Sequence, residues 1–295
     1  MKHFKSFVAA NWHAVPSQRA AWTFNVNTKT VDPCDEALLD LNFLLEWIDT
    51  LPQPCLLMIN AGLGVARGMA EANDWHRSYK SFSDLLRKNG LTFDFLNPVR
   101  RIQEWTPHQP FIHLPAGQGS FSGLKRKAES TLFRAFENDL NLKPVFILSG
   151  VPGCVGGPSR NVWATLPGLL RDDDVGIWPF DGDFDACASN YKVVLCEAHP
   201  RLAFNLSLSK TLPCTLRTQR KRDDRWRDNK LSDIMLQPWF SDAGLIFMDQ
   251  ADARENDSSF DALMILLASI RLSSSALLAT TDAWEGAIFG AELIS

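Results

Sequence analysis

Four polar side chains stand where apolar segments begin or end, and their chemistry suits metal-dependent phosphoryl transfer. Asn11, Asn60 and Glu197 each close a short apolar, strand-like run, and Asp261 opens an apolar stretch with helical spacing. Polar groups at the ends of neighbouring strands, joined by one from a packed helix, can hold one or two divalent cations that activate water. The sequence therefore predicts that these four residues share one site, as catalytic residues and as ligands of Mg²⁺ or Mn²⁺.

Two of the four positions carry amides, which limits the chemistry of this site. Magnesium prefers anionic oxygen ligands, and an amide oxygen is neutral. One unit charge at contact distance is worth about 4 kcal/mol at an effective dielectric constant of about 20. We therefore expect cation binding to be weak or absent in this form. Three explanations stay open: an engineered inactive form, a natural paralogue that lost its chemistry, or a different set of ligands.

Each of these residues also has a purely structural interpretation. Asn11 and Asn60 could satisfy backbone groups of the turns that follow their strands, as asparagine often does. Asp261 could be a favourable negative charge near the first turn of a helix. A carboxylate that ends a buried strand, such as Glu197, is harder to explain in this way.

The bulk composition indicates a packed globular protein. The chain has 295 residues, 45% of them hydrophobic, and a net charge of −4. It contains no apolar run of about 18 residues, so we expect no membrane partner. The apolar stretch after the basic residues at 1–5 is too short for a signal peptide. The six cysteines form no C-x-x-C pair, which favours reduced structural thiols over zinc or disulfides. Together these features predict a cytoplasmic protein.

Hydrophobic spacing predicts alternating strands and helices in a single domain over 1–295. The order at the start of the chain is strand, strand, strand, helix, strand, and the segment at about 65–140 is expected to be a large insertion. The predicted strands lie at 7–11, 20–26, 55–60, 145–149, 175–178 and 192–196, with a short third strand after the turn at 27–30. The predicted helices lie at 35–51, 120–138, 230–240 and 259–272, and residues 287–294 are a last short strand or a tail. These elements predict an α/β fold.

Several short segments, taken in order, resemble the DUF429 family of predicted nucleases. Asn11-Trp12 resembles the opening Asp-Trp of the family, and Asn60-Ala-Gly-Leu-Gly64 resembles its Asp-x-Pro-x-Gly turn. Trp178-Pro-Phe-Asp-Gly182 is similar to the family segment Trp-Pro-Phe-(Asp/Glu)-Gly. Glu197-Ala-His-Pro200 is similar to Glu-x-Tyr-Pro, and Asp261-Ala262 is similar to the final Asp-Ala motif. The resemblance implies a ribonuclease H-like mixed sheet with opening antiparallel strands and flanking helices. It also implies a cation-dependent phosphodiesterase.

The chain departs from the family pattern at informative positions. The family has Asp where this chain has Asn11 and Asn60, and Pro where it has Gly62. A glycine loop at 150–157 is similar to a family segment that often reads Gln-Val-Gly, but Gly157 stands where a Lys often follows. The two Asn residues are the departures that put hydrolysis in doubt.

Two further segments are candidate substrate-binding surfaces. The first is a basic run at 217–227, where we expect five residues to contact substrate: Arg217, Arg220, Lys221, Arg225 and Trp226. Such residues could contact phosphates and stack on a base, or the run could be a solvated loop whose charge is screened by neighbouring aspartates. The second segment, 104–119, is rich in Pro, aromatic residues and His, as pocket-lining loops often are, and includes Trp105 and His113.

These features support three functional hypotheses. The first is a Mg²⁺- or Mn²⁺-dependent nuclease scaffold impaired by Asn11 and Asn60. The second is a non-catalytic module on the same fold that binds nucleic acid or a nucleotide through 217–227. The third is an enzyme that acts on a small phosphorylated ligand in the 104–119 segment. The sequence makes no prediction of oligomeric state.

Overall fold

The computed structural model describes residues 3–34, 38, 40–115, 118–208, 223–273 and 282–291. In this part of the chain the strands are β1 (Ser6–Asn11), β2 (Ala20–Asn25), β3 (Thr30–Pro33), β4 (Cys55–Ile59), β5 (Ile112–His113), β6 (Ile147–Ser149), β7 (Val175–Trp178), β8 (Val193–Glu197) and β9 (Ile246–Phe247). Seven of them form one sheet in the order β7-β8-β4-β1-β2-β3-β9, and β5 pairs with β6 separately.

The large sheet is mixed. The pairs β1–β2 and β2–β3 are antiparallel, whereas β1–β4, β4–β8, β7–β8 and β3–β9 are parallel. The sheet therefore opens with antiparallel strands and continues with parallel ones that require crossover connections. The predicted α/β fold class is confirmed, and the topology is consistent with a ribonuclease H-like fold.

Helices flank this sheet. The described helices are α1 (Leu41–Ile48), α2 (Arg67–Ala72), α3 (Trp75–Ser78), α4 (Phe82–Lys88), α5 (Phe93–Leu96), α6 (Gln118–Leu132), α7 (Ala135–Asp139), α8 (Gly156–Leu169), α9 (Phe184–Asn190), α10 (Pro200–Leu208), α11 (Asp224–Met235), α12 (Pro238–Ala243), α13 (Ala251–Glu255) and α14 (Asp257–Leu272). The segment at about 65–140, predicted to be an insertion, contains α2 to α7 and β5.

The sheet separates two hydrophobic cores. Successive strand residues point to opposite faces, so each central strand feeds both cores. In β1, Val8 and Ala10 belong to one core, which α1, α4 and α8 cover, whereas Phe7 and Ala9 belong to the other. Helices α10 and α14 cover the second core, which we call the α14 face. We call the opposite side the α8 face.

Two predicted helices each divide into two in the structure. The helix predicted at 120–138 breaks between α6 and α7, where Arg134 has extended backbone angles. The helix predicted at 230–240 starts earlier, with α11, and breaks before Pro238, which leaves Gln237 extended. Proline disfavours helical geometry in the residue before it, which explains the second break.

Other elements have bounds close to those predicted from the sequence. The helix predicted at 35–51 is α1 over its described part, and residues 35–37 and 39 lie outside the described residues. The helix predicted at 259–272 starts two residues earlier as α14, capped by Asn256, whose side chain accepts from Ser258 and Ser259. Near 287–294, Ile288 makes a parallel bridge with Glu197, and residues 292–295 lie outside the described residues.

Helix lengths and cysteine environments agree with the composition. Within the described residues, no helix is both long and apolar enough to cross a membrane. Cys55 and Cys196 are buried in β4 and β8, and both are reduced thiols. Burial raises the pKa of Cys55 to about 12, so this thiol stays protonated at neutral pH.

Gly64, in the turn after β4, has no room for a side chain. A Cβ at Gly64 would overlap the backbone oxygen of Glu285. The two segments are held together here, because Val65 donates its backbone N–H to the Trp284 oxygen at 2.8 Å. We expect Gly64→Ala to lower the free energy of unfolding by about 1–3 kcal/mol, because the backbone must move. The matched control is Gly168→Ala in α8, where a Cβ meets no atom within 4 Å. Added helix propensity should raise its stability by about 0.5–1 kcal/mol. Urea unfolding measures both, and equal effects would contradict this account.

Candidate functional site

The carboxyl ends of three adjacent strands bring three of the four predicted residues to one edge of the sheet. In the sheet register, Ala10 of β1 lies beside Ile59 of β4, which lies beside Glu197 of β8. Asn11 and Asn60 each follow one residue later along their strands. The strand ends predicted from the apolar runs therefore meet in space, as parallel strands require.

Asn11 and Asn60 form a hydrogen-bonded amide pair. The Asn60 Nδ2 donates to the Asn11 Oδ1 at 2.8 Å, and the Asn60 backbone N–H donates to the Ala10 oxygen at 3.0 Å. The Asn60 Oδ1 is buried and accepts no hydrogen bond from the described residues. Both side chains are partly buried. This pair occupies the position where the sequence predicts two cation ligands.

Asp261 reaches the same region from α14. It is partly buried and lines a cavity of about 390 Å³ together with Asn60. Strand alternation turns Asn11 and Asn60 away from the core that contains Ala10 and Ile59, and toward the α14 face. Three of the four predicted residues therefore belong to one face of the sheet.

Glu197 belongs to the other face. Because it lies beside Ile59 in the register, its side chain points to the α8 face, whereas Cys196 before it belongs to the α14 core. Its Oε2 accepts the Leu63 backbone N–H at 2.8 Å. The pleat of the sheet thus turns Glu197 and the amide pair to opposite faces, but Asn60, Arg134 and Glu197 still line one small cavity at their shared edge.

Both oxygens of Glu197 are held by one arginine that the sequence analysis did not single out. The Nη1 of Arg134 donates to Oε2 at 2.6 Å, and its Nη2 donates to Oε1 at 2.7 Å. Arg134 is 1% exposed and Glu197 is 4% exposed. A bidentate, desolvated pair of this kind is among the strongest hydrogen-bonded contacts between side chains.

A second carboxylate completes a buried triad of Arg134, Glu137 and Glu197. Glu137 is 1% exposed, and its Oε1 accepts from the Nε and Nη2 of Arg134 at 3.0 and 2.8 Å. Its Oε2 accepts the backbone N–H of Arg134 at 2.9 Å, which caps α7. The break between α6 and α7 is what turns Arg134 toward the sheet. The sequence predicted one unbroken helix there, so this side chain gave no functional signal.

The triad contains two carboxylates and one guanidinium, and this imbalance shifts their protonation. Burial alone lowers the pKa of Arg134, but the charges of Glu137 and Glu197 outweigh it and raise that pKa, so the guanidinium stays charged. Burial raises the pKa of Glu137 to about 7, although Arg134 acts in the opposite direction; the charge of Glu197 adds to the rise. One proton can therefore enter the triad near neutral pH.

The arranged donors do not fit a pair of divalent cations. A guanidinium already uses both oxygens of Glu197, and Asn11 uses its amide oxygen within the amide pair. Magnesium needs near-octahedral oxygen ligands that carry enough negative charge. Among the described residues, no group of three or more His, Cys, Asp or Glu side chains is arranged to hold a metal ion.

The described part of the basic run belongs to α11. Arg217, Arg220 and Lys221 lie outside the described residues. Arg225 is exposed, whereas Trp226 is partly buried, with its ring 5.6 Å from those of Phe204 and Phe260. Asp223 caps the helix by accepting from the Trp226 backbone N–H. Trp226 is therefore used, at least in part, to pack α11 against α10 and α14.

The two residues predicted in the 104–119 segment have different environments. Trp105 is buried in the core, and its Nε1 donates to the Pro110 oxygen at 2.8 Å. His113 is exposed, pairs with Ser149 Oγ at 2.9 Å and lines a different cavity with Arg160. Burial, together with the charges of Arg100 and Arg160, lowers the pKa of His113. The structure therefore gives Trp105 a place in the core and leaves His113 at the surface.

Comparison of the chain with protein-family models, with curated proteins and with solved structures gave no match. The resemblance to the DUF429 family therefore stays a prediction from short segments of the sequence. The function has to be argued from the geometry and the charges of this site.

The buried triad predicts a pH dependence of stability. The folded pKa of Glu137, about 7, lies above its ordinary value of 4.5, so the folded state binds the extra proton between these values. The free energy of unfolding should therefore be highest near pH 5 and fall by roughly 1–3 kcal/mol by pH 8.

Urea unfolding at pH 5 and pH 8 checks this sign. Glu137→Gln cannot ionise, so its unfolding free energy should change much less over this range. The control is Glu129→Gln on the exposed surface of α6, which should keep the wild-type pH dependence. If Glu137→Gln and the wild type show parallel pH dependence, the proton does not enter at Glu137.

Proposed function

We propose that this chain is a non-catalytic module that binds a nucleotide or nucleic acid on a nuclease-like fold. The observation that carries this proposal is the bidentate contact of Arg134 with Glu197. The cation that contacts Glu197 is the monovalent guanidinium of Arg134, whereas metal-dependent hydrolysis would need a divalent cation at this carboxylate. The fold and the site geometry support binding at this edge of the sheet, and the ligand set argues against cleavage.

A cation would have to displace Arg134 to reach Glu197. Arg134 and Glu137 are each 1% exposed, so this displacement would leave a buried charge without its partner. Breaking a buried ion pair in this way costs about 3–5 kcal/mol. The triad therefore competes directly with any cation for the one carboxylate that ends a central strand.

The amide pair adds a second obstacle to cation binding. One of its oxygens accepts a hydrogen bond from the partner amide, and the other, Asn60 Oδ1, is a single neutral ligand. A two-cation mechanism needs oxygens that neutralise the metal charge at ~3.5–4 Å separation of the ions. Of the four predicted ligands, only Asp261 would supply anionic charge on the α14 face.

Ligand binding itself is supported by the position of the cavity. In α/β sheets, ligands bind outside the carboxyl ends of the strands, which is where the cavity of about 390 Å³ lies. The net charge of −4 gives no overall attraction for a polyanion, so recognition must come from local groups. A cytoplasmic location belongs to this proposal, since the buried thiols Cys55 and Cys196 suit a reducing compartment.

One observation favours the alternative of an impaired Mg²⁺- or Mn²⁺-dependent nuclease. Asn11 and Asn60 are in direct contact, and Asp261 lines the same cavity as Asn60. Aspartates at the two amide positions would place three carboxylates on the α14 face without the help of Glu197. This alternative makes a different prediction for the same experiment.

Mn²⁺ titration by calorimetry, with a cleavage assay on single-stranded DNA and RNA, separates the two functions. We expect no heat of Mn²⁺ binding and no cleavage by the wild type, because Arg134 and the amide pair occupy the ligand positions. Asn11→Asp/Asn60→Asp should bind Mn²⁺, since two unpaired carboxylates would then repel each other until a cation binds.

The control variant Asn27→Asp/Asn229→Asp adds the same charge at exposed positions and should not bind Mn²⁺. Cleavage by the wild type in Mn²⁺ would overturn the non-catalytic proposal. Cleavage by Asn11→Asp/Asn60→Asp alone would show that the chain is the disabled form of a nuclease.

A further inference from the structure

The cavity beside Asn60 contains basic side chains that the Arg134 triad does not use. Lys143, His199 and Arg201 line it from the loop after α7 and from the start of α10. Asp261 of α14 also lines it. Charged groups gathered around a cavity at this edge of the sheet indicate a binding site for a polar ligand.

Arg201 lies in this cavity with few partners for its charge. Its Nε is buried and has no hydrogen-bond partner among the described residues, and its Nη2 donates to the Leu140 oxygen at 3.1 Å. No ion pair recorded among the described residues includes Arg201. Burial lowers the pKa of this guanidinium, with no carboxylate acting in the opposite direction. A half-buried guanidinium with an unused donor is suited to an anionic ligand.

Lys143 and His199 stand on the same wall. The Lys143 Nζ lies 4.6 Å from the centre of the Phe121 ring, a cation–π contact, and Lys143 is partly buried. The His199 Nδ1 accepts the backbone N–H of Arg201 at 3.3 Å. Lys143 and Arg201 therefore both line this cavity.

Two helices begin at the rim of this cavity and reinforce its positive potential. Val155, which precedes α8, lines the cavity and caps the helix without a side-chain hydrogen bond. Pro200, the first residue of α10, also lines it. Helix N-termini carry partial positive charge, which favours anions. In α10, Pro200 has no backbone N–H and Arg201 donates its N–H to His199, so this helix end contributes charge rather than hydrogen bonds.

The remaining walls restrict the ligand further. Leu142, Pro152 and Val155 form an apolar surface that suits an uncharged organic group. The Asp261 carboxylate has several acceptor sites, so it can accept a hydrogen bond from a ligand hydroxyl or amine. A cavity of about 390 Å³ lies in the size range of small-molecule sites.

We propose that this cavity binds a small phosphate ester of nucleotide size. Its phosphate pairs with Arg201 and Lys143, and its organic part lies on the apolar wall near Asp261. This inference rests on the proposed function, because it places the ligand at the edge of the sheet that the triad closes to cations. It differs from the prediction for 217–227, since it assigns recognition to α10 and to the loop after α7.

Calorimetry with AMP, adenosine and inorganic phosphate on the full chain, without divalent cations, tests the proposal. AMP should bind, inorganic phosphate should bind more weakly, and adenosine should not bind measurably. Arg201→Gln should weaken AMP binding by roughly tenfold or more, because one charge-assisted contact is lost. Arg77→Gln changes an exposed arginine of α3 and should leave binding unchanged.

Folding of the variants is checked by thermal unfolding. Arg201→Gln loses the hydrogen bond to the Leu140 oxygen together with the buried Nε, so its unfolding transition should stay cooperative and lie well above the temperature of the binding assay. Lys143→Gln is a second, independent variant, and it should also weaken AMP and phosphate binding. Unchanged affinity in both variants would overturn the inference.

The outcomes for this inference and for the proposed function are distinguishable. If AMP does not bind but a short oligonucleotide does, the phosphate-ester site is wrong and the binding function stands. If the wild type cleaves the oligonucleotide in Mn²⁺ while AMP binding still depends on Arg201, the non-catalytic function is wrong and the cavity stands. AMP binding that depends on Arg201, without Mn²⁺ binding or cleavage, supports both.

Discussion

The buried guanidinium of Arg134 is the constraint on which this end of the molecule depends. It joins the end of β8, through Glu197, to the break between α6 and α7, through Glu137. Glu197 in turn accepts the backbone N–H of Leu63 in the turn after β4. A charge removed from water must keep all of its partners, because losing one leaves the others uncompensated. The positions of these three segments are therefore coupled.

A buried charge cluster and an open cavity lie next to each other at this edge of the sheet. On the α8 face, the triad is fully desolvated and serves to join segments. At the edge of the sheet, Asn60, Asp261 and the basic side chains border an open cavity, which Val155 before α8 also lines. The strand pleat makes this division, since Glu197 and Asn60 stand on adjacent strands but belong to opposite faces. The buried triad therefore lies next to the open cavity, and Asn60 and Lys143 line the space beside both.

Apolar runs ending in polar residues were enough to predict β1, β4 and β8 and their meeting at one edge. The same sequence predicted one helix over 120–138, because nothing in its composition marks Arg134 as a break. That side chain turns inward only because Glu197 and Glu137 receive it, which is a long-range effect that local propensity does not contain. The face of Glu197 could have been found by counting strand alternation from Ile59. The cavity cations Lys143 and Arg201 could not, since they come from segments that meet only in the folded chain.

The position of β1 at the centre of the sheet has a consequence for how the chain folds during synthesis. Its Ala9 surface is covered by α14, and Trp22 of the neighbouring β2 donates its indole N–H to Ser259 at 2.8 Å. β1 is therefore synthesised long before α14, the helix that covers this surface. Contacts of such long separation slow folding and leave apolar strand faces open in the meantime. The growing chain thus presents an uncovered sheet, a surface that chaperones bind, until α14 has been made.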